Sequence, residues 1–199
     1  IRTVRQRGIL MQEAVPVGEG AMAAILALDA SAIEEVTGAM EGVWIANYNC
    51  PGQIVISGEK AAVEEACEKL KAAGAKRAVM LNVSGPFHSG MLADAGEKLG
   101  EVLSQVELHE PQIPYVANVT AQYVKSAAEV KELLTRQVSS SVRWQQSVEA
   151  MIADGVDTFI EIGPGKTLAG FMRKISRDVK TLNVEKLEDI SKVAEALKS

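Results

Sequence analysis

Cysteine and histidine are scarce in this chain of 199 residues, with two of each. Cys50 and Cys67 have neither the density of a disulfide scaffold nor metal-ligand spacing. Two histidines are too few for a zinc cluster, so reduced thiols and a site without metal are expected. Aromatic residues make up 4% of the chain against 47% hydrophobic, which leaves an aliphatic core large enough for one or two compact units. No run approaches the roughly 20 uninterrupted apolar residues of a membrane span, and no basic-then-apolar leader is present. The expectation is a cytoplasmic protein without membrane contact. A net charge of −5 gives no basic footprint, so nucleic acid is not an expected partner.

The residues that are there alternate in period. IRTVRQRGILMQEAVP carries Ile1, Val4, Gly8, Met11 and Val15 at spacings of three and four, an amphipathic helix. That helix has no Ser, Thr, Asp or Asn at its start and its apolar stripe already runs at residue 1, so further sequence is expected upstream. From Gly18 to Ser84 the patterns predict strand (GAMAAILAL), helix (SAIEEVTGAM), two strands about a PG turn (VWIANYN and QIVISG), helix (KAAVEEACEKLKAAG) and strand (KRAVMLNVS). This βαββαβ order is that of a split, ferredoxin-like unit. Beyond it the chain reads as helix (MLADAGEKLGEVLSQV), a short strand around PYVANVT, and two helices (AAEVKELLTRQV and VRWQQSVEAMIADG). Strand TFIEIG, helix GPGKTLAGFMRKI and a final strand and helix follow. The pattern predicts a mainly parallel sheet under helical cover, with its sites at the carboxyl ends of the strands.

His88, in VSGPFHSG, lies past one such strand. Spacing alone favours a hydrogen-bonded structural histidine, while the position at a strand end allows a general base whose second ring nitrogen is oriented by an acceptor. No G-x-S-x-G elbow occurs to partner it. Ser89 is adjacent, but neighbouring side chains in an extended loop diverge, and Cys50 has no cation nearby to make its thiolate. GPGKT lacks the first glycine of a phosphate loop, since Ile160 stands there, and reads as a tight turn into a helix whose N-terminus attracts an anion. Arg7 flanks the apolar stripe of the first helix, where Gly8 admits a close neighbour, whereas Arg2 and Arg5 face solvent. Arg7 is either a structural ion pair or a planar fork for a ligand carboxylate.

Taken in order, RQRGILMQEAVPVGEGAMAAI, IANYNCPGQIVISG, VSGPFHSGML, PYVANVTA, TRQVSSSVRWQQSVEAMIADGV and FIEIGPGKTLAGFMRKI resemble the malonyl-CoA:acyl carrier protein transacylases of bacterial fatty acid synthesis. The likeness runs from residue 1 to about 175. It implies an α/β-hydrolase-like acyltransferase domain, here residues 1–18 and 85–199 without its N-terminal part. The inserted ferredoxin-like βαββαβ subdomain is residues 19–84.

The resemblance also implies a reaction. A serine takes malonyl from malonyl-CoA, which is a substrate and not a cofactor, and passes it to the phosphopantetheine thiol of acyl carrier protein in ping-pong fashion. His88 matches the base, and Gln137 matches the residue whose main-chain carbonyl orients it. Arg7 matches the arginine that grips the malonyl carboxylate. Asn47 and Asn49 match the family's asparagine-bearing loop near the pocket, and Phe87 stands before the histidine as in malonyl-selective members. The family's nucleophilic serine lies upstream of the RQRG helix, so it is expected before Ile1, and these 199 residues alone are expected to be inactive. Two other readings stay open: a truncated, non-catalytic protein that binds acyl carrier protein or coenzyme A, and a polyketide synthase acyltransferase domain.

Overall fold

A computed structural model describes residues 1–83 and 85–198. Ser84, at the end of the expected strand over 76–84, and Ser199, at the end of the expected last helix, lie outside the described residues. The chain divides into two compact units, Ile1–Ser147 and Val148–Ser199.

In the first unit, helix α1 (Arg2–Glu13) precedes β1 (Gly20–Leu26), α2 (Ala30–Gly38), β2 (Val43–Cys50), β3 (Gln53–Glu59), α3 (Lys60–Ala72) and β4 (Arg77–Met80). The expected βαββαβ succession is therefore present. Its strands form one antiparallel sheet in the order β2-β3-β1-β4. Period-2 alternation divides β1 between two clusters. Ala23 and Ile25 join Ile33 of α2 and Val63, Ala66, Cys67 and Leu70 of α3. Met22 and Ala24 join Ala46, Val55, Leu81 and Phe87 in a separate cluster. The α3 residues recur at three- and four-residue spacing, while Glu65–Lys69 and Glu68–Lys71 pair at 2.8 Å on its solvent side. Fully buried Ile25, Ile33, Ile56 and Leu70 each contribute roughly 1.5–3 kcal/mol of burial energy.

The unit continues with α4 (Ala93–Ser104), a two-residue hairpin of β5 (Val116–Ala117) and β6 (Gln122–Tyr123), and α5 (Ala127–Gln137). A third cluster contains Met11 and Val15, then Leu92, Ala95, Leu99, Leu103 and Val138. The apolar stripe of α1 is thus only half used: Met11 and Val15 are buried, but Ile1 and Val4 are exposed. Helix α6 (Trp144–Ala153) runs across the division between the units. The second unit then has β7 (Thr158–Ile162), α7 (Thr167–Ile175), β8 (Lys180–Val184) and α8 (Leu187–Ala196).

Beyond the βαββαβ unit, where the pattern predicts a mainly parallel sheet, β7 and β8 do pair in parallel, while the short strand expected around PYVANVT is a two-residue antiparallel hairpin. Among the described residues the only parallel pair of named strands is β7–β8, and the larger sheet is antiparallel throughout. In the larger sheet the expected PG turn is present: Pro51 and Gly52, with Gly52 at φ 72°, fold β2 directly back on β3. No helix among the described residues is long and apolar enough to cross a membrane.

Candidate active site

His88 does not sit at the end of a parallel strand but on a loop pinned from several sides. Pro86 lies against β1, so closely that a Cβ on Gly20 would come within 2.4 Å of its ring. Phe87 reaches two of the hydrophobic clusters at once. Ser89 is fully buried and its hydroxyl donates to the Pro86 carbonyl at 2.6 Å. Its hydroxyl is thus committed to the loop, which removes it as a partner for the histidine. Gly90 lies under the Trp44 ring, where a Cβ would approach to 2.7 Å. Held in this way, His88 has a φ of 58°, the left-handed region that non-glycine residues seldom enter.

The strained backbone aims the ring at the C-terminus of α5. Nδ1 of His88 lies 3.0 Å from the main-chain oxygen of Gln137. A carbonyl only accepts, so Nδ1 carries the proton and the free lone pair is on Nε2. Helix C-terminal carbonyls have no partner within the helix, which leaves Gln137 O available for this bond. Burial holds the imidazole below its ordinary pKa. The hydrogen bonds to the Gln137 and Ser140 main chain pull the other way, and the positive charge of Arg7 pushes it lower still. The ring is therefore neutral at pH 7, as a base must be.

Arg7 comes from α1, half-buried where Arg2 and Arg5 are exposed. Burial lowers its pKa, and no ion pair with it is found among the described residues. Arg7, Met11, Met22, Asn47, Phe87 and His88 line one cavity of about 440 Å³. The expected close neighbour of Gly8 is not there: a Cβ would meet nothing within 4 Å, and the residue borders this cavity instead.

His88 also lines a second cavity of about 320 Å³ with Arg136, Ser139, Ser140, Ser141 and Arg143. Sequence reasoning missed this polar side. Its members lie next to or beyond Gln137, in a turn and strap with no periodic pattern, and only the bond from the histidine brings them to the site. The strap is joined to β2: Val142 donates to the Ala46 carbonyl at 2.7 Å and accepts from Tyr48 at 2.9 Å. The Arg143 guanidinium stands 5.7 Å over the Tyr48 ring.

The structure therefore brings together Arg7, Asn47, Phe87, His88 and the carbonyl of Gln137. Both asparagines lie on strand β2 and not on a loop, and Asn49 is not among the residues that line either cavity. Cys50 is buried, with its thiol 3.9 Å from the Gln53 side-chain oxygen. Among the described residues no cluster of His, Cys, Asp or Glu has the arrangement of a metal site.

The GPGKT turn is filled from within its own unit. The Glu161 carboxylate accepts from the amides of Leu168 at 3.1 Å and Ala169 at 2.8 Å, at the start of α7, and Glu185 accepts from Gly165 at 3.1 Å. The anion expected at this helix N-terminus is thus the protein's own side chain.

The sequence profile described as "Acyl transferase domain" matches residues 1–193. The malonyl CoA-acyl carrier protein transacylase of Bacillus subtilis (strain 168) is 50% identical over 202 residues, covering 100% of this chain and 64% of that protein. That of Staphylococcus aureus (strain COL) is 43% identical over 194 residues, covering 96% of this chain and 63% of that protein. Among solved structures, an acyl carrier protein S-malonyltransferase from Vibrio cholerae superposes with a TM-score of 0.94 at 41% identity, covering 96% of this chain and 64% of that one. The chain thus spans less than two thirds of the length of these relatives.

Proposed function

The chain belongs to the acyl transferase domain family, as a close homologue of malonyl-CoA:acyl carrier protein transacylases over their C-terminal portion, and from this we propose that it serves malonyl transfer from coenzyme A to the phosphopantetheine thiol of an acyl carrier protein. The observation that carries the reading is the cavity with Arg7 and His88 on its wall, the first cationic and without an ion pair among the described residues, the second a neutral base with its free lone pair on Nε2. We read residues 19–84, with their sheet order β2-β3-β1-β4, as a ferredoxin-like subdomain. In this reading it is inserted in an α/β-hydrolase-like domain made of residues 1–18 and 85–199.

In the proposed reaction Nε2 of His88 takes the hydroxyl proton of a serine placed N-terminal to Ile1, and the serine oxygen attacks the thioester carbonyl. The carbon–sulfur bond breaks and the leaving thiolate recovers the proton from the imidazolium, giving malonyl-serine and free coenzyme A. The carrier thiol then gives its proton to Nε2 and attacks the ester, and the serine leaves with that proton. Such a base contributes typically 10²–10⁴-fold. The second cavity, polar and on His88, suits the amide-bearing pantetheine arm. Arg7 is the clamp for the malonyl carboxylate, with Phe87 and Asn47 beside it. A neutral acetyl group would leave the desolvated guanidinium unmatched.

The test is to assay the full-length protein with malonyl-CoA and acetyl-CoA as donors to a holo acyl carrier protein. A charge-assisted pair is worth roughly 1.5–3 kcal/mol, so Arg7→Ala is expected to lower kcat/KM for malonyl roughly 10- to 100-fold more than for acetyl. Equal losses for both donors would refute the clamp, and absence of malonyl transfer by the wild type would refute the function.

A further inference from the structure

We infer that the side chain of Gln137, and not only its carbonyl, positions His88 by curling the Ser139–Ser141 turn so that main-chain acceptors face the ring. This rests on the reading of His88 as the base. The carboxamide nitrogen of Gln137 donates to the carbonyl of Ser140 at 2.9 Å and to that of Ser141 at 3.2 Å. One residue thus works in two directions, with its oxygen held towards His88 and its side chain returned onto the turn that follows it.

The far end of the turn is fixed independently. The Ser141 hydroxyl donates to the Ile45 carbonyl, and Val142 is bridged to β2 through Ala46 and Tyr48. The near end is the C-terminus of α5, whose last carbonyls have no helical partner. Between two fixed ends, the two carboxamide bonds decide how the intervening peptides point. The consequence reaches the ring, because the Gln137 carbonyl at the start of this turn lies 3.0 Å from Nδ1 and Ser139, Ser140 and Ser141 line the same cavity as His88. A donor is required at this position: methionine matches the length and flexibility of glutamine but offers no N–H, and glutamate would set a carboxylate against two carbonyl oxygens.

The experiment compares Gln137→Met and Gln137→Glu with the wild type in the full-length protein. Nitrogen-15 NMR of the imidazole reads the tautomer, and steady-state kinetics and thermal melting accompany it. The wild type is expected in the Nδ1–H form. Both variants are expected to shift the population towards Nε2–H and to lower kcat roughly tenfold, with KM changed less than about threefold. A Gln137→Met protein with wild-type tautomer and kcat would overturn the inference, as would a rise in KM alone. The tautomer readout does not depend on transferase activity. A shifted tautomer in a protein that transfers no malonyl would leave the positioning role standing and remove the function, whereas intact transfer with an unmoved tautomer would do the reverse.

Discussion

The bond between His88 and Gln137 depends on how closely α5 lies against α4, and two glycines on α4 allow that distance to be tested. A Cβ built on Gly96 would stand 3.0 Å from the Thr135 main-chain oxygen and 3.6 Å from Val138 Cβ, so backbone opposes it. A Cβ on Gly100 would meet only the Thr135 side chain, 3.2 Å from Oγ1 and 3.5 Å from Cγ2. That side chain can turn away by giving up its 2.9 Å bond to the Lys131 carbonyl, whereas the backbone at Gly96 moves only with its helix. Alanine in place of glycine within a helix gains about 1 kcal/mol at both positions. Overpacking against a rigid neighbour costs roughly 1–3 kcal/mol. Gly100→Ala should therefore range from neutral to about 1 kcal/mol more stable, and Gly96→Ala from neutral to about 2 kcal/mol less stable. For a chain of this size the two melting temperatures should differ by about 3–6 °C. Relief of the Gly96 contact moves the end of α5 by a few tenths of an ångström and takes the 3.0 Å bond from His88 to Gln137 towards the limit of good geometry. A several-fold loss of kcat is thus expected for Gly96→Ala and none for Gly100→Ala. Equal melting temperatures with equal kcat would refute the argument that backbone packing on Gly96 sets the histidine's acceptor.

Two further outcomes follow from local electrostatics. Because burial and Arg7 both lower the His88 pKa, its NMR titration should have a midpoint below the ordinary imidazole value of about 6.5, and Arg7→Ala should raise it. The unfolded chain then binds the proton more readily than the native one. This histidine's contribution to stability should be intact above pH 6.5 and diminish as pH falls from there through the folded midpoint, a trend that His88→Gln would flatten in denaturant titrations. At the start of α7, Glu161→Ala removes the acceptor for two helix amides and should cost about 0.5–2 kcal/mol. Hydrogen exchange at Leu168 and Ala169 should quicken in that variant, and unchanged protection there would show that the carboxylate contributes nothing.

The amino-acid sequence by itself determined the βαββαβ succession, because β1 through β4 carry local signals: apolar alternation, a Pro-Gly turn between β2 and β3, and the three- and four-residue spacing of Val63, Ala66, Cys67 and Leu70. It also pointed to Arg7, Asn47, Phe87, His88 and Gln137 through the order of its motifs, and to Asn49, which lines neither cavity. Periodicity could not decide which strands pair or in which direction. That is why the strand around PYVANVT was counted towards a mainly parallel sheet although β5 and β6 form an antiparallel hairpin, and why the exposed first turns of α1 were counted as part of its apolar face. The resemblance named Gln137 as the histidine's partner, but no local signal did, since 49 positions separate His88 from Gln137. Ser89, the neighbour in sequence, is turned inward to Pro86, while a carbonyl at the end of another helix supplies the acceptor. Only tertiary structure decides this, because a hydrogen bond depends on distance and direction in space, and both are set here by packing of α5 on α4 and by pinning of the histidine loop on β1.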